Sequence, residues 1–499
     1  MLTGLMVGHI KFHAYPLLTA EALIVLIAAA GIGALLGLIP ALLGPTNLRA
    51  FILGLLLLVF LDLQLGSIVT IEIPFGIGRG LPWWVVSAAA FLAGFGAFFA
   101  IFMAILSMRE HIATIFAAVF GVFLLSALVI PSPSMKFGVE DIARSNAQRS
   151  NEAPTVHLIL DGHIGIEGIP LDMPGGPETK SVLLKFYEKW GFRLYGRAYS
   201  PYLMTLNSVG NLFNGVASKK DMANIEVGQR FGGAKRLTQN KYFQTVLETK
   251  RNIRVFQSDY LDYCDLAEAP VDYCFTYPVS SVYALLNADL KAVAKARIIF
   301  DSFFRRRSVS VKIYEFFVPR PYYSSVAVPD VFDALRSDML ANPRGNLFLG
   351  HVMLPHDPYV WDQQCRFRPD TRQWMSRRPN HLDLTTLGTP EYRKKAYTDY
   401  FDQIHCVVQY LNDLFTSMDK SGLLRDATVI IHGDHGSRIT LRDPIIDYRD
   451  QATKSDYVDS FSTLFAIRSP EVEPGYSSEL QPIHNLFAEH VLKLPAPMD

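Results

Sequence analysis

Two rhythms of apolar and polar residues divide the chain. Up to about residue 130 the apolar runs are long and almost free of charge. Residues 22–40 and 112–130 each continue for 19 residues without a charge, 81–108 runs longer still, and roughly 49–69 is clean except for Asp62. A run of that length crosses ~30 Å of hydrocarbon. The pattern predicts four spanning helices, with Asp62 near the interface end of a tilted one. From residue 154 the runs shorten and alternate with amphipathic stretches. Strands are predicted at 155–160, 253–257, 346–353, 427–432 and 463–468, and helices at 177–190, 241–250, 326–341 and 390–419. The last helix is the best signalled: Thr389-Pro390 suits its start, Phe401, Ile404, Val408, Leu411 and Phe415 form an apolar stripe, and Gly422 ends it. Strands alternating with helices imply a layered α/β domain with a mostly parallel sheet.

Composition sharpens the division. At 499 residues the chain is too long for one ordinary domain, and half of it is hydrophobic. Residues 1–135 carry eight charged residues, Lys11, Glu21, Arg49, Asp62, Glu72, Arg79, Arg109 and Glu110, although the chain holds 47 basic and 47 acidic ones. The expected organisation is a transmembrane domain over 1–132, a polar Pro/Ser-containing linker over 133–153 and a soluble domain over 154–499. The first apolar segment is one of several and has no small-residue cleavage site, which argues against a removed signal peptide. Arg49 and Arg109 favour cytoplasmic short loops and an external soluble domain, while Lys11, Arg79 and Lys136 pull the other way. The four cysteines support the external placement. In an exported domain an even number reads as two disulfides, most simply 264–274 and 365–406, with four free buried thiols as the alternative. A net charge of zero gives no reason to expect a nucleic-acid partner.

Three stretches carry candidate chemistry. "TVHLILDG" places Asp161 at the end of an apolar strand, where open α/β sheets bind ligands. "ATVIIHGDHGSR" empties a strand into His432, Asp434 and His435, a carboxylate and imidazole set that suits zinc or manganese better than calcium. "SPYLMTLNSVGNLFNG" puts Thr205 near a helix start that favours an anion. Its hydroxyl is a poor nucleophile until a base or metal ionises it. A fourth stretch, "HVMLPHDPYVWD", delivers His356 to another strand end, where it could bind a phosphoryl oxygen or protonate a leaving group.

Together these residues resemble the alkaline phosphatase/sulfatase superfamily over about 154–470, and within it the membrane-anchored phosphoethanolamine and phosphoglycerol transferases. The G-D-H-G of 433–436 is the most specific part. The resemblance implies an N-terminal transmembrane helical bundle joined to a three-layer α/β domain. It also implies a divalent ion, zinc or manganese, held by Asp161, Thr205, Asp434 and His435, with Thr205 as nucleophile and His356 binding the transferred group. Arg438 could pair with a phosphate oxygen. The chain lacks the C/S-x-P-S-R pentapeptide of formylglycine sulfatases, and Asp161-Gly162 stands where paired acids are common. Asp399, Asp402 and His405 share one helix, but Asp402 and His405 are expected to face solvent, so one metal is expected.

The function so implied is transfer of a phospho-group from a lipid donor to an envelope glycan, by a multi-pass protein of the bacterial cell membrane whose catalytic domain faces the periplasm or exterior. A hydrolase of surface polysaccharide, acting as phosphodiesterase or sulfatase, and a non-catalytic glycan-binding membrane protein are the alternatives.

Overall fold

The computed structural model describes residues 2–42, 46–68, 83–107, a scattered part of 111–129, 137–141, 150–227, 235–307, 323–368, 389–444 and 450–493, without 267 and 280. The chain divides into two compact units. One comprises residues 1–135 and 290–320, the other 136–289 and 321–499.

The first unit contains helices α1 (Leu2–Phe12), α2 (Ala20–Leu42), α3 (Thr46–Ile68) and α4 (Trp83–Ser107). Among the described residues, one helical segment, Ala20–Pro40, is long and apolar enough to cross a membrane, with a mean hydropathy of 2.7. Asp62 cuts the apolar stretch of α3 to Asn47–Leu61, α4 contributes Gly94–Ser107, and most of 112–130 lies outside the described residues. A bundle of four spanning helices is therefore not supported. The unit also takes in the helix Ala292–Arg307, which packs on α1, α2 and α3 although the sequence reading kept it in the soluble domain. Its Ala296, Ile298, Ile299 and Phe303 are buried, and a short amphipathic helix gives no sign in sequence of which partner will cover its apolar face.

The second unit is built on a nine-stranded sheet. Its strands are β1 (Gly138–Asp141), β2 (Thr155–Leu160), β3 (Arg193–Tyr199), β6 (Asn252–Ser258), β8 (Tyr273–Tyr277), β9 (Asn346–Val352), β10 (Thr428–Gly433), β11 (Phe465–Arg468) and β12 (Gly475–Pro482). The order is β1-β8-β6-β9-β2-β10-β11-β3-β12. The short strands β4 (Ile225–Val227), β5 (Lys235–Leu237) and β7 (Leu261–Asp262) form a separate sheet. Strands β8, β6, β9, β2 and β10 run parallel, whereas β1, β11 and β3 pair antiparallel with a neighbour. The large sheet is thus mixed, not mostly parallel as expected. A buried apolar run predicts a strand but carries no direction; the connections set that. The β1 strand also falls inside the expected linker, because a four-residue edge strand pairs through its backbone and needs no apolar pattern.

Helices α5 (Gly176–Lys189), α6 (Thr205–Leu212), α7 (Val328–Ala341) and α8 (Pro390–Lys420) are the main helices used below. The central strands are buried apart from the first residues of β2 and β10, as parallel strands covered on both faces must be. Both expected disulfides form, Cys264–Cys274 and Cys365–Cys406. Two ion pairs are sealed into this unit. Arg254 of β6 meets Asp338 of α7, and Arg393 of α8 meets Asp459 at 2.9 Å. Burial pushes the Asp459 carboxyl up to about 6, against the opposing pull of Arg393 and Tyr397.

Asp338→Ala strands Arg254 in the interior and should cost about 3–5 kcal/mol, whereas the apolar pair Arg254→Met with Asp338→Leu should cost far less. Thermal unfolding of the three proteins checks this. For Asp459, the folded state keeps a proton that the unfolded chain releases between about pH 4 and 6, so its contribution to stability falls as pH rises through that window. The melting temperature of the wild type relative to Asp459→Asn should therefore drop from pH 4 to 6.5.

Candidate metal centre

Register brings three strand tips level. Leu160 of β2 lies between Val352 of β9 and Gly433 of β10, so the residues that follow each strand emerge side by side. They are Asp161, the loop carrying His356, and the pair Asp434-His435. The lone acid at the end of β2 is thus one wall of a shared site at the carboxyl ends of adjacent parallel strands. Thr205 arrives from the fourth direction, as the first residue of α6, whose preceding residue Met204 offers no side-chain cap.

The G-D-H-G turn owes both its glycines to close packing. A Cβ at Gly433 would lie 2.4 Å from Thr463 Oγ1, and one at Gly436 would lie 2.3 Å from Asp459 O. Held between them, Asp434 accepts from Gly162 N at 2.8 Å and from His435 N at 3.0 Å through Oδ1. Its Oδ2 stays buried without a hydrogen-bond partner, as does Asp161 Oδ1.

The proton on His435 can be placed from its neighbours. Its Nδ1 lies 2.8 Å from Gly436 O, a carbonyl that only accepts, so Nδ1 carries the hydrogen and Nε2 presents a lone pair. That lone pair faces Asp434 Oδ2 at 3.4 Å and Asp161 Oδ1 at 3.5 Å. Burial and the charge of Arg438 push His435 down to about 3, which keeps it neutral. Thr205 Oγ1 completes the group, 3.5 Å from His435 Nε2 and 3.3 Å from Asp161 Oδ2, to which it donates. Three acceptors with no proton among them repel one another in a dry interior, and a bound cation would relieve this. The spacing fits as well: ligands about 2.1 Å from a tetrahedral zinc ion lie about 3.4 Å apart. The carboxylate and imidazole donors also suit manganese. The Asp161 carboxyl is held below its usual range: burial and Asp434 push it up, but His356, His351 and His435 together pull it further down.

His356 offers a third potential ligand atom, within 4.8 Å of those of Asp161 and His435. Its Nδ1 donates to Asp357 O at 2.6 Å, and its Nε2 accepts from Arg438 Nη2 at 2.5 Å. A lone pair already engaged by a guanidinium is not free for a metal, which places His356 and Arg438 beside the ion. Arg438 holds a left-handed backbone, φ 55°, and its amide donates to Asp459 O at 2.8 Å. Its side chain also reaches Leu203 O, close to Thr205.

Asp161, Thr205, His356, Asp434, His435 and Arg438 therefore meet at one place, while other residues weighed from the sequence do not. Asp402 and His405 do not simply face solvent: Asp402 pairs with Arg368 at 2.5 Å, as Asp399 does at 3.0 Å, and His405 contacts Thr179 Oγ1 at 3.1 Å. None of the three joins the cluster. His432 turns away from the site and pairs with His157, Nε2 to Nε2, at 2.8 Å. One residue went unread. His351, inside β9, is fully buried, and its Nε2 stands 3.4 Å from Asp161 Oδ2 while Nδ1 meets Tyr263 Oη at 3.0 Å. In sequence it is one polar letter inside an apolar strand.

No family model and no curated protein matches the chain. Solved structures do. The phosphonate monoester hydrolase of Agrobacterium radiobacter shares 11% identity, over 68% of this chain and 73% of its own, with a TM-score of 0.42. The zinc complex of the C-terminal periplasmic domain of EcEptC from Escherichia coli shares 10%, over 72% and 86%, at 0.38. The lipoteichoic acid synthase LtaP from Listeria monocytogenes shares 12%, over 72% and 76%, also at 0.38.

Adding zinc to metal-free protein should raise its melting temperature, by linkage of binding to folding. Asp434→Asn should abolish most of that rise while leaving the melting of the metal-free protein close to that of the wild type.

Proposed function

We propose that the chain is a metal-dependent enzyme that moves a phospho-group, of the phosphoethanolamine or phosphoglycerol type, from a lipid phosphodiester to a glycan hydroxyl of the cell envelope, through Thr205. The observation that carries this reading is the position of Thr205 Oγ1, buried within 3.5 Å of both Asp161 and His435 at the tips of three strands. A divalent ion held by Asp161, Asp434, His435 and Thr205 supplies Lewis acidity, easing loss of the threonine proton and neutralising charge that builds on phosphoryl oxygens.

The chain's own groups account for the rest. Asp161 Oδ2 already accepts the Thr205 hydroxyl hydrogen and can hold that proton. The oxygen freed of it attacks phosphorus, the bond from phosphorus to the diacylglycerol oxygen breaks, and the group rests on Thr205 as a phosphodiester. Arg438, held against His356, positions its guanidinium for a charge-assisted hydrogen bond to an incoming phosphoryl oxygen. Against the effect of burial, Asp357 and Asp161 raise His356 above its usual range, so it can take up a second proton and give it to the departing oxygen. A glycan hydroxyl reverses the sequence and frees Thr205. The span Ala20–Pro40 supports a membrane location, which would confine the search for a lipid donor to two dimensions.

Peptide mass spectrometry of Thr205, after incubation of the full-length protein with bacterial phospholipids, tests the reading. The wild type should carry an adduct whose mass identifies the group, and Thr205→Ala should carry none. Headgroup release with no adduct and no transfer to glycan would instead make the chain a hydrolase.

A further inference from the structure

Three loops carry the site, and one helix reaches all three. Along α8, Arg393, Tyr397, Tyr400 and Gln403 recur at spacings of four, three and three, so they share a face, and all four are buried. That face is polar in an otherwise apolar setting, and between them the four residues reach all three loops.

Tyr400 serves the β2 loop. Its hydroxyl donates to Gly162 O at 2.8 Å and accepts from Ile164 N at 2.8 Å. The backbone just before is pinned too, by Asp161 N to Val352 O at 2.9 Å and Gly162 N to Asp434 Oδ1 at 2.8 Å. Gly162 takes φ 68°, so the chain turns sharply between Asp161 and the Tyr400 contacts. Gln403 serves the β9 loop. Its amide nitrogen donates to Pro355 O at 3.0 Å and His356 O at 3.1 Å, and its amide oxygen accepts from Val360 N at 2.9 Å. One turn of helix on, Cys406 is joined to Cys365, so the same loop is tied covalently at its far side. Tyr397 serves the β10 loop, meeting Ser437 Oγ at 3.0 Å and the Asp459 carboxylate that Arg393 also holds.

We propose that Tyr400 and Gln403 are positioning residues of the reaction: from one rigid helix they fix Asp161 on the metal side and His356 on the phosphoryl side, so that the two halves of the site keep register. The assignment rests on the metal and transfer reading given above. Its physical ground is that groups behind a metal ligand set the ligand's aim, and that misplacement of about 1 Å is costly to a transfer reaction. The two residues should fail differently. Tyr400 acts on a metal ligand. Gln403 acts on a residue that grips substrate.

The test uses the purified full-length protein, zinc alone as the metal probe, and a phospholipid with a labelled headgroup. Tyr400→Phe removes a single hydroxyl and should weaken zinc, measured by competition with a chelator, by about 10- to 100-fold. Gln403→Glu keeps the acceptor for Val360 N but loses both donors. It should leave zinc affinity within about twofold and raise the lipid concentration for half-maximal labelling of Thr205. Melting of the metal-free proteins is recorded alongside. Lowered melting with unchanged zinc affinity in Tyr400→Phe and unchanged half-saturation in Gln403→Glu would reduce both residues to scaffold and overturn the proposal. Should Tyr400→Phe not fold, Gln403→Glu decides alone by its half-saturation. A wild type that takes up no zinc overturns the metal reading and the positioning role with it. One that binds zinc but never labels Thr205 upholds or overturns the Tyr400 arm by zinc affinity alone, and overturns the transfer reading separately.

Discussion

Two carboxylates and an imidazole lone pair pointed at one another, out of reach of water, are the constraint on which the rest of this unit depends. Asp161 and Asp434 are fully buried, and each leaves an oxygen without a hydrogen-bond partner. A protein does not keep two such groups in its interior for stability, since each unpaired buried charge costs several kcal/mol. They are tolerated where a cation completes them. The surrounding architecture follows from that need: the parallel strands β9, β2 and β10 must be adjacent, in register and ended at the same level for their next residues to converge. It also explains why glycines flank the pair, since the loop that aims Asp434 and His435 packs against Thr463 and Asp459 with no room for a side chain.

The same need explains how much of the molecule was legible from sequence. Strands that run through the centre of a sheet are apolar on both faces, so 155–160, 346–353 and 427–432 stood out, as did the polar residues at their ends. Asp161, Asp434, His435 and His356 are readable because chemistry at a strand tip interrupts an apolar run. What did not show was anything decided between distant parts of the chain. The antiparallel course of β11 depends on the connection from residue 434 to 464, not on the residues of the strand. The attachment of Ala292–Arg307 to the first unit depends on which partner buries its apolar face. Helix α8 illustrates both sides: Phe401, Ile404, Val408, Leu411 and Phe415 announced its apolar stripe, while Tyr397, Tyr400 and Gln403 passed as ordinary polar positions. Nothing in a helical period says that a buried glutamine meets a proline carbonyl some 48 residues away.

Arg438 shows strain placed where it has a use. A non-glycine residue at φ 55° costs free energy, on the order of 1 kcal/mol or more. The amide contact to Asp459 O holds that conformation, and its effect is to swing the guanidinium back across the turn onto His356. A relaxed backbone at this position would carry the side chain elsewhere and leave the metal side without an adjacent positive group.

Charge then narrows the chemistry this centre suits. Under the proposed reading one divalent ion would cancel the two carboxylates, His435 is neutral, and Arg438 adds a positive charge beside them, joined by His356, which, against the effect of burial, Asp357 and Asp161 raise above its usual range. A phosphodiester is a monoanion that Arg438 can meet with one charge-assisted hydrogen bond. A sulfate ester is also a monoanion, and for it the discriminating feature is the nucleophile. Formylglycine chemistry requires a Cys or Ser in a pentapeptide this chain does not have, and a threonine stands at the helix start instead. The nucleophile is therefore what separates the proposed phosphodiester chemistry from the formylglycine route.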